Sequence, residues 1–140
     1  MTSKTASFRQ HHTDVRALVV RIEALLTPES VRTDAGPIAT VVRELFGKFG
    51  VHLSIEDATL YPRMLAHADH RVRLAAQSFQ GEMGNLKVRF DEYRHRWPGP
   101  MAISQDPSRF VTETADMLAA LKRRIAHEDT DLYDLYDQAA

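Results

Sequence analysis

Apolar residues recur at three- and four-residue intervals along four stretches of the chain, with polar and charged residues between them. That spacing puts one stripe on each of four helices; no stretch alternates with the two-residue rhythm of a half-buried strand. The first helix is expected over about 8–26, with the stripe Phe8, His12, Val15, Val19, Ile22 and Leu26. Ser7 and Gln10 make an S-x-x-Q capping pattern at its start, and Thr27-Pro28 ends it. The second is expected over about 37–66, with Pro37 in its first turn and the stripe Val41 or Val42, Leu45, Phe49, His52, Glu56 and Leu60. Pro62 removes a backbone donor and should kink this helix near its end. The third, over about 70–97, is apolar at every stripe position: Val72, Ala76, Phe79, Met83, Leu86, Phe90, Tyr93 and Trp97. The fourth, over about 107–138, starts from Asp106 as N-cap and Pro107 as first helical residue. Its stripe is Phe110, Thr114, Met117, Leu121, Arg124, Glu128, Leu132 and Leu135.

Proline and glycine gather at "TPESVRTDAGP" (27–37) and "WPGPMAISQDP" (97–107), with a weaker break at "AHADHR" (66–71). Four amphipathic helices joined this way predict an all-α fold, an antiparallel up-down-up-down four-helix bundle. With 140 residues, 44% of them hydrophobic, the chain can bury one core, so a single domain over 1–140 is expected.

The stripes are not purely apolar. His12, His52, Glu56, Arg124 and Glu128 all fall on core-facing positions. Burying such groups without partners is costly, so they should meet one another or a metal ion. Alternating helix direction brings the start of helix one, the end of helix two and the end of helix four to one level, where all five can converge. His52 and Glu56, at i and i+4, share a helix face. Inward histidines and carboxylates on facing helices are how bundle metal sites are built, and a mixed N/O set suits iron, manganese or zinc.

Bulk features narrow the function. The chain has no cysteine, so thiolate metal sites and cysteine nucleophiles are excluded. The formal net charge of −1, with basic residues scattered, argues against nucleic acid as a partner. No apolar run approaches a membrane span, and "MTSKTASFRQHH" lacks the apolar core of a secretory signal, so a cytoplasmic setting without membrane is expected. No GxSxG elbow or phosphate-binding loop is present; in "GEMG", nothing marks a preceding strand. No catalytic residue is identified.

"HLSIEDATLYP" (52–62) resembles the HxxxE(E/D)xxLYP signature of hemerythrin-like, or HHE cation-binding, domains. "FRQHHTDVRALV" and "RIAHEDTDLYDL" are similar to that family's first- and fourth-helix segments, so the resemblance covers nearly the whole chain. It implies this bundle, usually with a non-haem di-iron centre, and oxygen binding, sensing or iron-linked chemistry. Carried over by residue, it implies metal ligands at His12, His52, Glu56 and Glu128, with His11 a poorer substitute for His12. It also puts Met83 and Arg124 where the family has histidines, so an intact di-iron centre is not expected. A thioether is a poor ligand for hard iron, and a guanidinium cannot ligate a cation. The resemblance thus implies one ion or a variant pair, with Glu82 at the stripe edge as an extra ligand that could restore the second. In the alternative, the bundle is metal-free, Arg124 pairs with both Glu56 and Glu128, and the chain is a protein-interaction or regulatory module. A protein partner or homodimer fits either reading.

Met83 reads most simply as core filler. Gly81 and Gly84 beside it suggest close approach of another helix, because mid-helix glycine costs roughly 0.5–1 kcal/mol relative to alanine. His67, His70, His95 and His127 lie off the stripes and should face solvent; Tyr61 and Tyr133 should pack near the site.

Overall fold

The structure, a computed structural model, describes residues 4–139; residues 1–3 and 140 of the expected domain lie outside it. It is all-α, with no strand among the described residues. The first long helix is α1 (Ala6–Leu25), followed by a short α2 (Pro28–Thr33). Then α3 (Gly36–Ile55) runs through one π-helical segment (Glu56–Leu60) into α4 (Tyr61–Leu65). A 27-residue α5 (His70–Arg96) and a short α6 (Pro100–Gln105) come next. Finally α7 (Pro107–His127) runs through a second π segment (Glu128–Tyr133) into α8 (Asp134–Gln138). No helix among the described residues is long and apolar enough to cross a membrane.

Local chemistry explains most boundaries. Asp69 and Asp106 cap α5 and α7, accepting from the backbone N–H groups of Arg71 (2.9 Å) and Arg109 (3.3 Å). The expected Ser7–Gln10 capping box does not form. Ser7 lies inside α1, and the residue at the N-cap is Thr5, whose hydroxyl donates to Asp137 (2.6 Å) and accepts from Arg9 (2.9 Å). The segments 27–37 and 97–107 are more than breaks. Thr27 accepts from the Ser30 N–H (3.1 Å) and starts α2 at Pro28, while Gly99 and Pro100 start α6. Each short helix seats one fully buried side chain, Val31 and Ile103, in the core.

Contacts along paired helices run in opposite directions. On α1 and α3, His12 meets His52 while Arg21 meets Glu44 (3.1 Å). On α1 and α7, Lys122 meets Glu23 (2.7 Å), and His12 reaches Asp129 just beyond α7. On α5 and α7, Phe79 meets Arg124 and Arg96 meets Glu113 (2.7 Å). The apolar side chains form two clusters. The larger holds Val15, Ile22, Leu45, Phe49, Met83, Phe90, Phe110 and Leu121 among others, and the smaller holds Phe8, Leu60, Val72, Phe79 and Leu132. His12 on α1, His52 and Glu56 at and just past the end of α3, and Glu128 just past α7 fall between members of the two clusters, so a polar layer is enclosed by apolar side chains on both sides.

The π segments decide which side chains enter that layer. The first ends two residues before Pro62, and its wider turn accommodates a ring that would collide with the carbonyl four residues back in a regular helix. The second contains no proline. Its extra residue advances the stripe by one, so Tyr133 and Tyr136 are buried while Leu135 is only half-buried. Gly81 and Gly84 do not mark a close approach: both are exposed, and a Cβ at either would meet nothing within 4 Å.

Candidate metal centre

Four donors converge in the polar layer. His12 comes from α1, His52 from the last turn of α3, and Glu56 and Glu128 open the two π segments. All four are 0–1% exposed, and one ligand atom from each lies within 4.8 Å of the others. His12 Nε2 and His52 Nε2 are 3.1 Å apart, and His52 Nε2 is 2.9 Å from Glu56 Oε1. Phe8 and Phe49 pack against the His52 ring, and Tyr133 stacks on His12 (5.2 Å, 19°), so ring planes are fixed by apolar contacts.

The outer nitrogens are also held. His12 Nδ1 is 2.7 Å from Asp129 Oδ1, and Arg16 holds the other Asp129 oxygen at 2.5 Å. His52 Nδ1 is 3.0 Å from His11 Nδ1. His11 is therefore a neighbour of His52 rather than a substitute for His12. Tyr133 Oη donates to Glu56 Oε1 and lies 3.1 Å from Glu128 Oε2.

Arg124 is 6% exposed, and its placement corrects one expectation. Its Nε donates to Glu128 Oε1 (3.0 Å), and its Nη2 donates to the Tyr61 hydroxyl (3.2 Å) and the Phe79 carbonyl (3.0 Å). It does not pair with Glu56. One Glu56 oxygen is taken by Tyr133 and His52, and the other, Oε2, is buried with no fixed hydrogen-bond donor in reach. Arg124 Nη1 instead faces Glu82 at 3.5 Å. Glu82 is half exposed and pairs outward with Arg124 and His127, so it lies outside the convergent donor group. Met83 is buried in the larger apolar cluster. His70, His95 and His127 are exposed as expected; His67 is half-buried and accepts from the Asp69 N–H (2.9 Å).

Burial dominates the electrostatics. It pushes the His12 and His52 imidazoles below their ordinary value, which keeps lone pairs free for ligation. It pushes the Glu56 carboxyl up, and burial together with the neighbouring Glu56 charge pushes Glu128 up to about 7. The two carboxyls also hydrogen-bond to each other, which lowers Glu56 and raises Glu128, and they share one guanidinium in a dry layer. The residues present fit a cation: mixed imidazole and carboxylate donors, enclosed, with one buried Glu56 oxygen that no fixed hydrogen-bond donor reaches. Asp129, His11 and Tyr133 belong to this constellation too. Asp129 and His11 sit one residue off their stripes, so helical spacing carries no signal for them. Tyr133 packs beside the site as its place in the matching Leu-Tyr segment predicts, and its hydroxyl reaches the layer through the π segment.

The family model described as Hemerythrin HHE cation binding domain matches residues 3–136. No curated protein and no solved structure matches the chain. Nearly the full length, including all four convergent donors, therefore falls within that match, and the chain belongs to the hemerythrin HHE cation-binding domain family.

Proposed function

We propose that the chain is a single-domain, antiparallel up-down-up-down four-helix bundle that binds one metal ion through His12, His52, Glu56 and Glu128. Iron is the foremost candidate, with manganese and zinc competent for the same donors. Its role is metal- or oxygen-linked binding or sensing. The single observation that carries this reading is the set of four buried donors within 4.8 Å of one another. Opposed contacts at both ends of the paired helices support the bundle, and the family supports cation binding.

Each residue has a definite task. For both histidines to offer Nε2 to one ion, their protons must sit on Nδ1. Asp129, fixed by Arg16, accepts that proton's hydrogen bond from His12; His11 Nδ1 accepts it from His52. The two apolar clusters exclude water, which strengthens every charge interaction in the layer. Bound iron would supply a redox-active Lewis acid. The family's second-ion position is given up in this reading: Arg124 places a fixed cation on Glu128, and Met83 adds apolar packing.

Elemental analysis tests the proposal. Chelator-stripped protein is loaded anaerobically with ferrous iron, manganese or zinc, and about one ion per chain is expected, falling well below that in His52→Ala and Glu56→Ala. No retained metal under any loading overturns it.

A further inference from the structure

Tyr133 is the one phenol among the described residues whose hydroxyl reaches the convergent donors. Its Oη lies 3.1 Å from Glu128 Oε2 and 3.4 Å from His12 Nε2, and it bonds to Glu56 Oε1, so it touches three of the four. The ring is 0% exposed. Five residues along a regular α-helix turn a side chain about 140° away from the starting face. The π segment closes its turn at five residues, so Glu128 and Tyr133 return to one face. Tyr61 stands in the same relation to Glu56 across the first π segment, yet its hydroxyl accepts from Arg124 and is committed elsewhere. A phenol has one proton and can donate it to one acceptor at a time. With Glu128 ionised, the hydroxyl's remaining contacts with Glu128 Oε2 and His12 Nε2 are lone pair against lone pair, which a cation makes favourable.

We infer that Tyr133 is a fifth ligand: its phenolate oxygen binds the ion held by His12, His52, Glu56 and Glu128 and biases the site toward ferric iron. The inference rests on the single-ion reading above. On binding, the phenol O–H bond breaks, an oxygen–metal bond forms and one proton leaves to solvent; no electron moves in that step. Phenolate is a hard anionic donor, and tyrosinate serves iron in haem proteins as well. Added to two carboxylates, it gives the site three anionic oxygens, which favours a trivalent over a divalent ion.

The test uses the full chain, stripped of metal, loaded anaerobically with ferrous iron and then oxidised in air. Iron content, visible absorption and resonance Raman spectra are read together. About one iron per chain is expected, with a phenolate-to-iron charge-transfer band and enhanced tyrosine ring modes that shift when the protein carries ring-deuterated tyrosine. Tyr133→Phe should keep most of the iron and lose the band, while Tyr61→Phe keeps both. Should Tyr133→Phe not fold, the labelled wild type shows whether tyrosine ligates. Persistence of the band in Tyr61→Phe, Tyr93→Phe and Tyr136→Phe then assigns it to Tyr133. Bound iron without the band, or a band surviving in Tyr133→Phe, overturns the inference and leaves the four-residue site standing. Absence of iron overturns both.

Discussion

Replacing Glu128 by glutamine in the metal-free protein separates the cost of its buried charge from its packing. Glutamine keeps the shape and can still accept from Arg124 Nε, but it does not ionise. The folded chain holds the Glu128 proton up to about pH 7, against an ordinary value of 4.5. A carboxyl whose folded pKa is raised favours the folded state at low pH, and that advantage is lost as pH climbs from 4.5 through 7. At 1.36 kcal/mol per pKa unit, the loss is about 3 kcal/mol. Stability of Glu128→Gln minus that of the wild type should therefore rise by about 3 kcal/mol between pH 4.5 and 8. For a chain of this length that is on the order of 10 °C in Tm. The histidines act oppositely: with folded values below the ordinary one, they lower stability as pH falls through 6.5. Because the Glu128 charge raises both values, that loss is no smaller in Glu128→Gln and works in the same direction as the expected rise. Urea denaturation of chelator-treated protein across that pH range measures the difference. A flat difference, or one that shrinks as pH rises, refutes the view that the Glu128 charge is held at a cost. Saturating metal should reverse the order above pH 7, because the ion stabilises only the protein that retains its carboxylate ligand.

Arg124→Ala strands the Glu128 carboxylate and frees the Tyr61 hydroxyl; a loss of roughly 3–5 kcal/mol is expected by chemical denaturation, and no change would contradict a buried pair. Arg124→Lys should not restore it, since one ammonium cannot span the three acceptors the guanidinium holds. Asp129→Ala removes the acceptor that orients His12, so metal affinity measured by competition with a chelator should fall on the order of 10- to 100-fold, with helix content unchanged. Gly81→Ala and Gly84→Ala, both exposed in mid-α5 with open space at Cβ, should each stabilise the fold by roughly 0.5–1 kcal/mol in thermal melts. Destabilisation would mean that another helix does approach there.

The four long helical stretches are legible in the sequence because burial imposes one period on each. Val15, Leu45, Phe79 and Leu121 recur where a helix must face apolar neighbours, and the structure buries them all. His12, His52, Glu56, Arg124 and Glu128 are legible for the same reason: a polar residue on an apolar stripe is expensive unless it meets a partner. The short helices α2 and α6 escape that reading, since six residues hold too few stripe positions to show a period.

What the sequence alone determines, then, is which residues turn inward and at what level, because inward facing is a one-dimensional property of spacing. Who meets whom is decided in three dimensions. Arg124 takes Glu128 and leaves Glu56, because Tyr61 and the Phe79 carbonyl hold its Nη2 and Glu82 draws Nη1 outward. Asp129 reaches back to His12 across 117 positions of chain, and a single π-helical segment swings Tyr133 onto the donors. A hydrogen bond is fixed by ångström distances and by competition among acceptors, and neither is written in the order of residues along a helix.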